Sequence, residues 1–379
     1  MNSPSLQSLN LPSDKLSEMR WSEEKINRWY ADNPWPLGCN YIPHYAINQL
    51  EMWQEDTFNT PIIDKELMWA EALGFNTIRV FLHHLLWEQD KHGFLSRIEA
   101  FLSIAAKHHI RTMFVLFDAV WDPFPKTGKQ PEPKNYVHNS GWVQSPGYYV
   151  LNDETKYDGL HDYVHGIVDH FKNDERVLIW DLFNEPDNMN LSSYKDDNYA
   201  KHKAQLSMAL LQKTISWVRL INPIQPITMA PWQFDWSNPA KLTALDNYMF
   251  IHSDIISFHC YEDAAGMEKR IESLKRYNRP MLCTEYMARP FNSTFQEILP
   301  VLKKHAVGAY NWGFVAGKSQ THCPWDSWKL PYKSEPTVWF HDVFRANGEP
   351  YDKKEIEYLV DFVKSYGRAG QEKSGGTLN

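Results

Sequence analysis

The sequence is short of several things, and each shortage closes off a class of protein. It holds no run of about 18 apolar residues, the length a helix needs to cross a bilayer, so no membrane partner is expected. It holds no block of like charge. The formal net charge of −8 is spread along 379 residues, so nucleic acid is not an expected partner. The four cysteines, Cys39, Cys260, Cys283 and Cys323, are too few for a disulfide framework at this length, and none forms a Cys-x-x-Cys pair. They read as small buried hydrophobes, and no metal or cofactor is expected. No Gly-x-Gly-x-x-Gly follows the first apolar strand, which argues against a dinucleotide site. Repeats, low-complexity tracts and Pro/Ser-rich linkers are also missing. The first twenty residues are polar and lack the apolar segment of a signal peptide. A cytoplasmic chain is expected, or a periplasmic or secreted one if a leader has been removed. The oligomeric expectation is a monomer or small homo-oligomer.

What the chain has in plenty is aromatic side chains: 16 Trp, 19 Tyr and 19 Phe. Many fall in Pro/Gly/Asn-rich stretches such as "DAVWDPFP", "APWQFDWSNP" and "CPWDSWKLP", which carry Trp121 and Trp232. Core residues sit at regular spacing, whereas loop aromatics often line binding surfaces. A flat ring offers its face to C–H groups of the kind a sugar ring presents. The competing reading is a satellite core beneath long loops.

A unit of short apolar strand, loop, amphipathic helix and Gly or Asn recurs along the chain. In "TPIIDKELMWAEALGFNTIRVFL", Ile63, Leu67, Ala70 and Leu73 keep helical spacing, Gly74 ends the helix and "TIRVF" is a buried strand. Ile98, Phe101, Leu102 and Ala105 repeat the plan, as do Leu160, Val164, Ile167 and Phe171. The strand candidates are 36–41, 77–81, 112–117, 177–183, 227–230, 255–259, 281–284 and 308–312. Most are bare apolar runs, as parallel strands buried on both faces require. Eight such units predict an α/β fold, a single-domain (β/α)8 TIM barrel over residues 31–365 with long βα loops. Residues 1–30 read as an extension packing on or near the barrel and 366–379 as a flexible tail. The insertions 119–157 and 232–248 then become loops at the carboxyl end, where barrel enzymes keep their sites.

Two strands end in a glutamate. "VLIWDLFNEP" places Asn184 and Glu185 at the mouth, with Pro186 turning the chain away, and "MLCTEY" does the same with Glu285. A carboxylate in that place is costly unless solvated, paired or used. The two are 285 − 185 = 100 positions and three strands apart, which sets them across the mouth. Facing carboxylates are the equipment of glycosidic bond cleavage. Other strand ends are polar too: Asn40 at the end of the first, Arg79 in the second, Asp118 after the third, His259 and Tyr261 at the sixth, Trp312 at the eighth. Trp53 in the first loop, with His44, Gln49 and Glu51, and His83, His84, Trp87 and Glu88 after the second strand, are expected to bind hydroxyls and close one end of a cleft.

This ordered set resembles the clan A glycoside hydrolases, nearest the family 5 type often described as cellulases, mannanases or xylanases. The resemblance covers about residues 36–314. It implies a retaining β-glycosidase acting on oligo- or polysaccharides, with Glu185 as acid/base and Glu285 as nucleophile. It further implies Asn184 at the sugar 2-hydroxyl, Arg79 beneath the nucleophile, Tyr261 touching it, His259 near the acid/base and Trp312 as platform. Arg79 and the phenol should lower the pKa of Glu285, and a tryptophan wall with the Glu285 charge should raise that of Glu185. The carboxyl groups should stand about 5–5.5 Å apart. One departure stands out. Family 5 enzymes usually carry a histidine soon after the third strand, where this chain has Asp118, Trp121 and Asp122. Alternatives are a transglycosylase on the same site, a non-catalytic carbohydrate-binding barrel, and a metal-dependent hydrolase using His83, His84, His259 and Asp118. The last expects a His-x-His on the first strand, which "LGCNYIP" lacks.

Overall fold

The computed structural model describes residues 11–194, 202–233 and 235–374. Eight strands run β1 Leu37–Asn40, β2 Thr77–Phe81, β3 Arg111–Asp118, β4 Val177–Asn184, β5 Ile227–Ala230, β6 Ile256–His259, β7 Met281–Tyr286 and β8 Gly308–Asn311. Each lies within one or two residues of its expected range. All the strand pairs are parallel, in the order β5-β4-β3-β2-β1-β8-β7-β6. The β5 and β6 edges meet through fewer bonds, among them Asp254 N to the Ile227 carbonyl at 2.9 Å and His259 N to the Pro231 carbonyl at 3.1 Å. The result is a nearly closed (β/α)8 barrel in one domain.

The helices between strands bury the faces their spacing dictates. In helix Thr60–Ala72, Ile63, Leu67 and Ala70 are buried, and the Asn59 side chain caps the start by accepting from Ile62 N. Gly74 follows with a φ of +80°, and a Cβ there would lie 2.7 Å from a Val363 methyl, so both the turn and the packing require glycine. The four cysteines are free and buried.

The segment from Leu16 to Ile26 and the last helix, through Leu359 and Phe362, pack on the barrel. Trp21 and Ile26, from the segment of helices Ser13–Met19 and Glu23–Asp32, join Met113, Leu178, Ile255, Leu282 and Tyr310 in a cluster that plugs the amino end of the strands. Arg20 donates to the Ser253 and Phe250 carbonyls and Trp21 N to Asp254, fixing that plug. The last helix spans Lys353–Ser374, so it runs into the stretch expected to be a frayed tail. Residues 1–10 of the expected extension and 375–379 of the expected tail lie outside the described residues. Among the described residues, no helix is long and apolar enough to cross a membrane.

Candidate active site

Arg79 is the hub from which the site is built. It is fully buried on β2 and lies over the Phe81 ring. Its guanidinium reaches three strands. Nε and Nη2 donate to Asp181 Oδ2 at 3.0 and 2.8 Å, and Nη2 also to Asn184 Oδ1 at 2.7 Å, both on β4. Nη1 donates to Asn40 Oδ1 on β1 at 2.8 Å and to Glu285 Oε1 on β7 at 3.0 Å. A buried charge is tolerable when so fully paired. Each planar N–H fixes one carboxylate or amide, so Arg79 sets the orientation of the residues around it.

Glu185 begins where β4 ends. Its φ is +44°, a left-handed backbone that costs a non-glycine residue roughly 1–2 kcal/mol. The chain therefore turns out of the barrel at Glu185 itself, ahead of Pro186, and the Glu185 amide is held by the Ala230 carbonyl at 3.0 Å. Oε2 accepts from Asn188 Nδ2 at 2.6 Å, and Oε1 lies 2.7 Å from His259 Nδ1. Burial pushes the carboxyl up to about 7; the Asn188 hydrogen bond opposes the shift and the Asp187 charge adds to it.

Glu285 is held differently. Oε1 accepts from Arg79, and Oε2 accepts from Tyr261 Oη at 2.6 Å. Its pKa is nonetheless raised, because burial outweighs the pull of His259, Arg79 and Tyr261 and the Glu185 charge adds to it. This corrects the expectation that Arg79 and the phenol would win. Both carboxyls favour a proton; Glu285 faces the charged Arg79 and the Tyr261 phenol, whereas Glu185 faces the Asn188 amide and the His259 ring. His259 Nδ1 lies between them, 2.7 Å from Glu185 and 3.4 Å from Glu285, and burial lowers its pKa to about 4, which leaves the ring neutral. One oxygen from each glutamate and one His259 nitrogen lie within 4.8 Å of one another. Among the described residues, that trio and the partly exposed Glu268, Glu272 and His305 are the two groups with ligand atoms close enough to hold a metal ion.

Above the pair lies a cleft of about 390 Å³ lined by Asn184, Glu185, His259, Tyr261, Glu285 and Trp312, with Trp121 and Trp232 from the long loops. Trp312 meets Phe81 and Trp142 edge-on at 5.9 and 5.8 Å between ring centroids. Trp121 stacks on Trp328 at 5.4 Å, and Trp232 Nε1 donates to Asp187 at 2.9 Å. Of the nine expected strand-end residues together with Trp53, Trp121 and Trp232, eight thus line one cavity.

The other four do not. Arg79 and Asn40 sit beneath it, and Asn40 Nδ2 donates to the Thr284 carbonyl. Asp118 is buried and accepts from Trp142 Nε1 at 2.6 Å and Asn184 Nδ2 at 2.9 Å; burial raises its pKa to about 7. It fixes the asparagine instead of facing the cleft. Trp53 belongs to the core: it is fully buried, donates to the Phe81 carbonyl at 3.0 Å and packs among Phe58, Phe94 and Phe101. The polar residues expected beside it are likewise turned inward. His83 lies against the Gln144 carbonyl, His84 against Ser145, His44 against Glu66, Gln49 against Asp118 and Glu51 against Lys318. Trp87 is buried, with its Nε1 bonded to Asp162, and Glu88, like the rest of that segment, is not among the cleft residues.

Several residues of the site carry little signal in the sequence. Asp181 carries the main ion pair to Arg79; its signal was a lone charge inside "VLIWDLF". Asn188, Trp142, His138 and Trp325 reach the cleft from irregular loops, where no periodicity marks them. Buried Lys203 binds the carbonyls of Ala119 and Asn188, tying the β3 and β4 loops together behind Glu185.

Fold and site together define a class: a (β/α)8 barrel with facing glutamates at the carboxyl ends of β4 and β7. The chain belongs to the cellulase family, glycosyl hydrolase family 5, whose model matches residues 48–329. No curated protein matches the sequence. Solved structures share the fold. The exo-β-1,4-mannosidase Op5Man5 from Opitutaceae bacterium strain TAV5 is 18% identical with a TM-score of 0.56, over 88% of this chain and 60% of that one. A GH5_18 variant from Streptomyces cattleya in complex with Manβ1-4GlcNAc is 10% identical with a TM-score of 0.57, over 87% and 80%. The endo-β-1,4-mannanase from Thermotoga petrophila is 14% identical with a TM-score of 0.55, over 86% and 76%. This chain therefore spans under two thirds of the Op5Man5 chain.

Proposed function

We propose that this chain is a retaining hydrolase of β-glycosidic bonds, with Glu285 as nucleophile and Glu185 as acid and then base. The observation that supports the reading is the closeness of the pair: one oxygen of each glutamate lies within 4.8 Å of the other, which favours the roughly 5–5.5 Å carboxyl spacing of a retaining pair over the roughly 6.5–9.5 Å that leaves room for an inverting water. In the first step the Glu185 proton passes to the glycosidic oxygen, the C–O bond breaks, and a Glu285 oxygen bonds the anomeric carbon. In the second, Glu185, now ionised, takes a proton from water. The water oxygen bonds the anomeric carbon, and Glu285 leaves as carboxylate. Arg79 and Tyr261 hold Glu285 in place throughout, Asn184 is set to meet a ring hydroxyl, and Trp312 supplies the floor. His259 stays neutral and hands no charge to either step.

The substrate class is short or terminal β-glycosides of oligo- or polysaccharides. Support comes from the loops after β3 and β8, which join over one side of the mouth through Asn139 to Ser319, His138 to Cys323 and Trp328 to His138. Aryl β-mannosides lead the panel to be screened, since neighbours in fold are named for β-1,4-mannoside chemistry. The test is a pair of variants. Glu285→Ala should remove turnover on the order of 10⁵-fold with folding intact. Glu185→Ala should spare aryl glycosides with good leaving groups, which need no proton, and cripple those with poor ones. Equal losses on both leaving groups would remove Glu185 from the acid role, and surviving turnover in Glu285→Ala would remove Glu285 from the nucleophile role.

A further inference from the structure

Where the β3 and β8 loops meet, one side chain is buried at the cleft with no hydrogen-bond partner among the described residues. Asn139 lines the same cavity as Glu185 and Glu285. Its backbone is fixed on both sides: its amide donates to the Ser319 carbonyl at 2.8 Å, and its carbonyl accepts from Trp142 N at 3.1 Å. The φ is +46°, a left-handed conformation that asparagine tolerates better than most residues. The residue is only 1% exposed, yet neither Oδ1 nor Nδ2 has a hydrogen-bond partner among the described residues. Buried amides are normally satisfied, and an unsatisfied one costs about 1–3 kcal/mol.

The neighbours of Asn139 are otherwise engaged. His138 Nδ1 donates to the Cys323 carbonyl at 2.9 Å, and the His138 amide donates to Ser327 Oγ at 3.0 Å. The carboxamide thus stands as a preorganised donor and acceptor with no hydrogen-bond partner among the described residues. A pair of adjacent sugar hydroxyls, each able to donate and accept, matches it. Asp187, Met189 and Trp232, from the loops after β4 and β5, line the Glu185 side of the cleft, where a leaving group departs. The Asn139 carbonyl holds the Trp142 amide, the Trp142 ring packs edge-on against Trp312 at 5.8 Å, and the Trp312 amide donates to the Tyr286 carbonyl beside Glu285, so the sugar that Asn139 meets is the one lying on Trp312, which becomes bonded to Glu285.

We infer that Asn139 is a specificity determinant that binds two adjacent hydroxyls of the terminal sugar on the Glu285 side. The inference rests on the glycosidase reading above and deepens it. Asn139→Gly tests it, because glycine keeps the left-handed backbone without strain and removes only the amide. The measurement is kcat/KM on the aryl β-glycoside turned over fastest, and on its 2-, 3- and 4-deoxy analogues, with Asn139→Asp as a same-shape variant that loses the donor. The unaltered enzyme should discriminate against two analogues lacking neighbouring hydroxyls. Asn139→Gly should lose on the order of 30–100-fold on the parent and almost nothing further on those two. Asn139→Asp should weaken the same two positions. A variant pattern that keeps the original deoxy discrimination, or falls equally on every analogue, overturns the inference. Turnover surviving in Glu285→Ala would instead overturn the reading beneath it, so the two failures are distinct.

Discussion

Replacing Glu185 by glutamine should stabilise the protein, and only at higher pH. The carboxyl rises from 4.5 to about 7 because burial opposes its ionised form. At about 1.4 kcal/mol per pKa unit, that shift corresponds to ~3 kcal/mol. The sign follows from proton counting. Between pH 4.5 and 7 the folded chain keeps a proton that the unfolded chain has lost, so stability falls as pH rises through that window. Above pH 7 both states are ionised and the penalty is complete. Glutamine cannot ionise, keeps the size of the side chain, and can still pair with Asn188 and His259. It also retains the left-handed backbone, so the strain at φ +44° cancels between the two proteins. Urea unfolding at pH 4.5 and pH 8 reads the difference. The expected result is near equality at pH 4.5 and a Glu185→Gln advantage of ~3 kcal/mol at pH 8. An advantage that does not change with pH would refute the reasoning, since it would show that Glu185 ionises as an ordinary carboxyl.

Two further outcomes follow from the same geometry. The pH profile of kcat/KM should fall on its alkaline side near pH 7, where Glu185 loses its proton, and on its acid side above the ordinary carboxyl range, where Glu285 gains one; Glu185→Ala on a good leaving group should lack the alkaline fall. Trp53→Ala should cost about 3–5 kcal/mol of stability while leaving KM unchanged, because its ring fills the core; a raised KM with unchanged stability would return it to the substrate site.

What could be read from the sequence and what could not divides along physical lines. The eight strands were legible because strands buried on both faces are mostly apolar, and short runs such as "TIRVF" or "ITMA" between amphipathic helices fit little else. Glu185 and Glu285 were legible because a charge ending such a run needs a reason. Trp53 misled because a tryptophan in a polar loop looks the same whether its ring faces cleft or core. The pKa of Glu285 went the other way because its partners can be named from sequence, whereas the depth of its burial cannot. Asn139 was invisible for a third reason. Its setting depends on two irregular loops meeting, as His138 and Cys323 do across 185 positions, and no periodic pattern announces such a contact.

The central claim is that Glu285 bonds the anomeric carbon and Glu185 serves both steps. NMR of the first-formed product, recorded before the sugar equilibrates, tests it most directly. Two inversions at one carbon restore its configuration, so hydrolysis of a β-glycoside should release the β anomer first. Release of the α anomer would mean a single displacement by water, and would contradict the account.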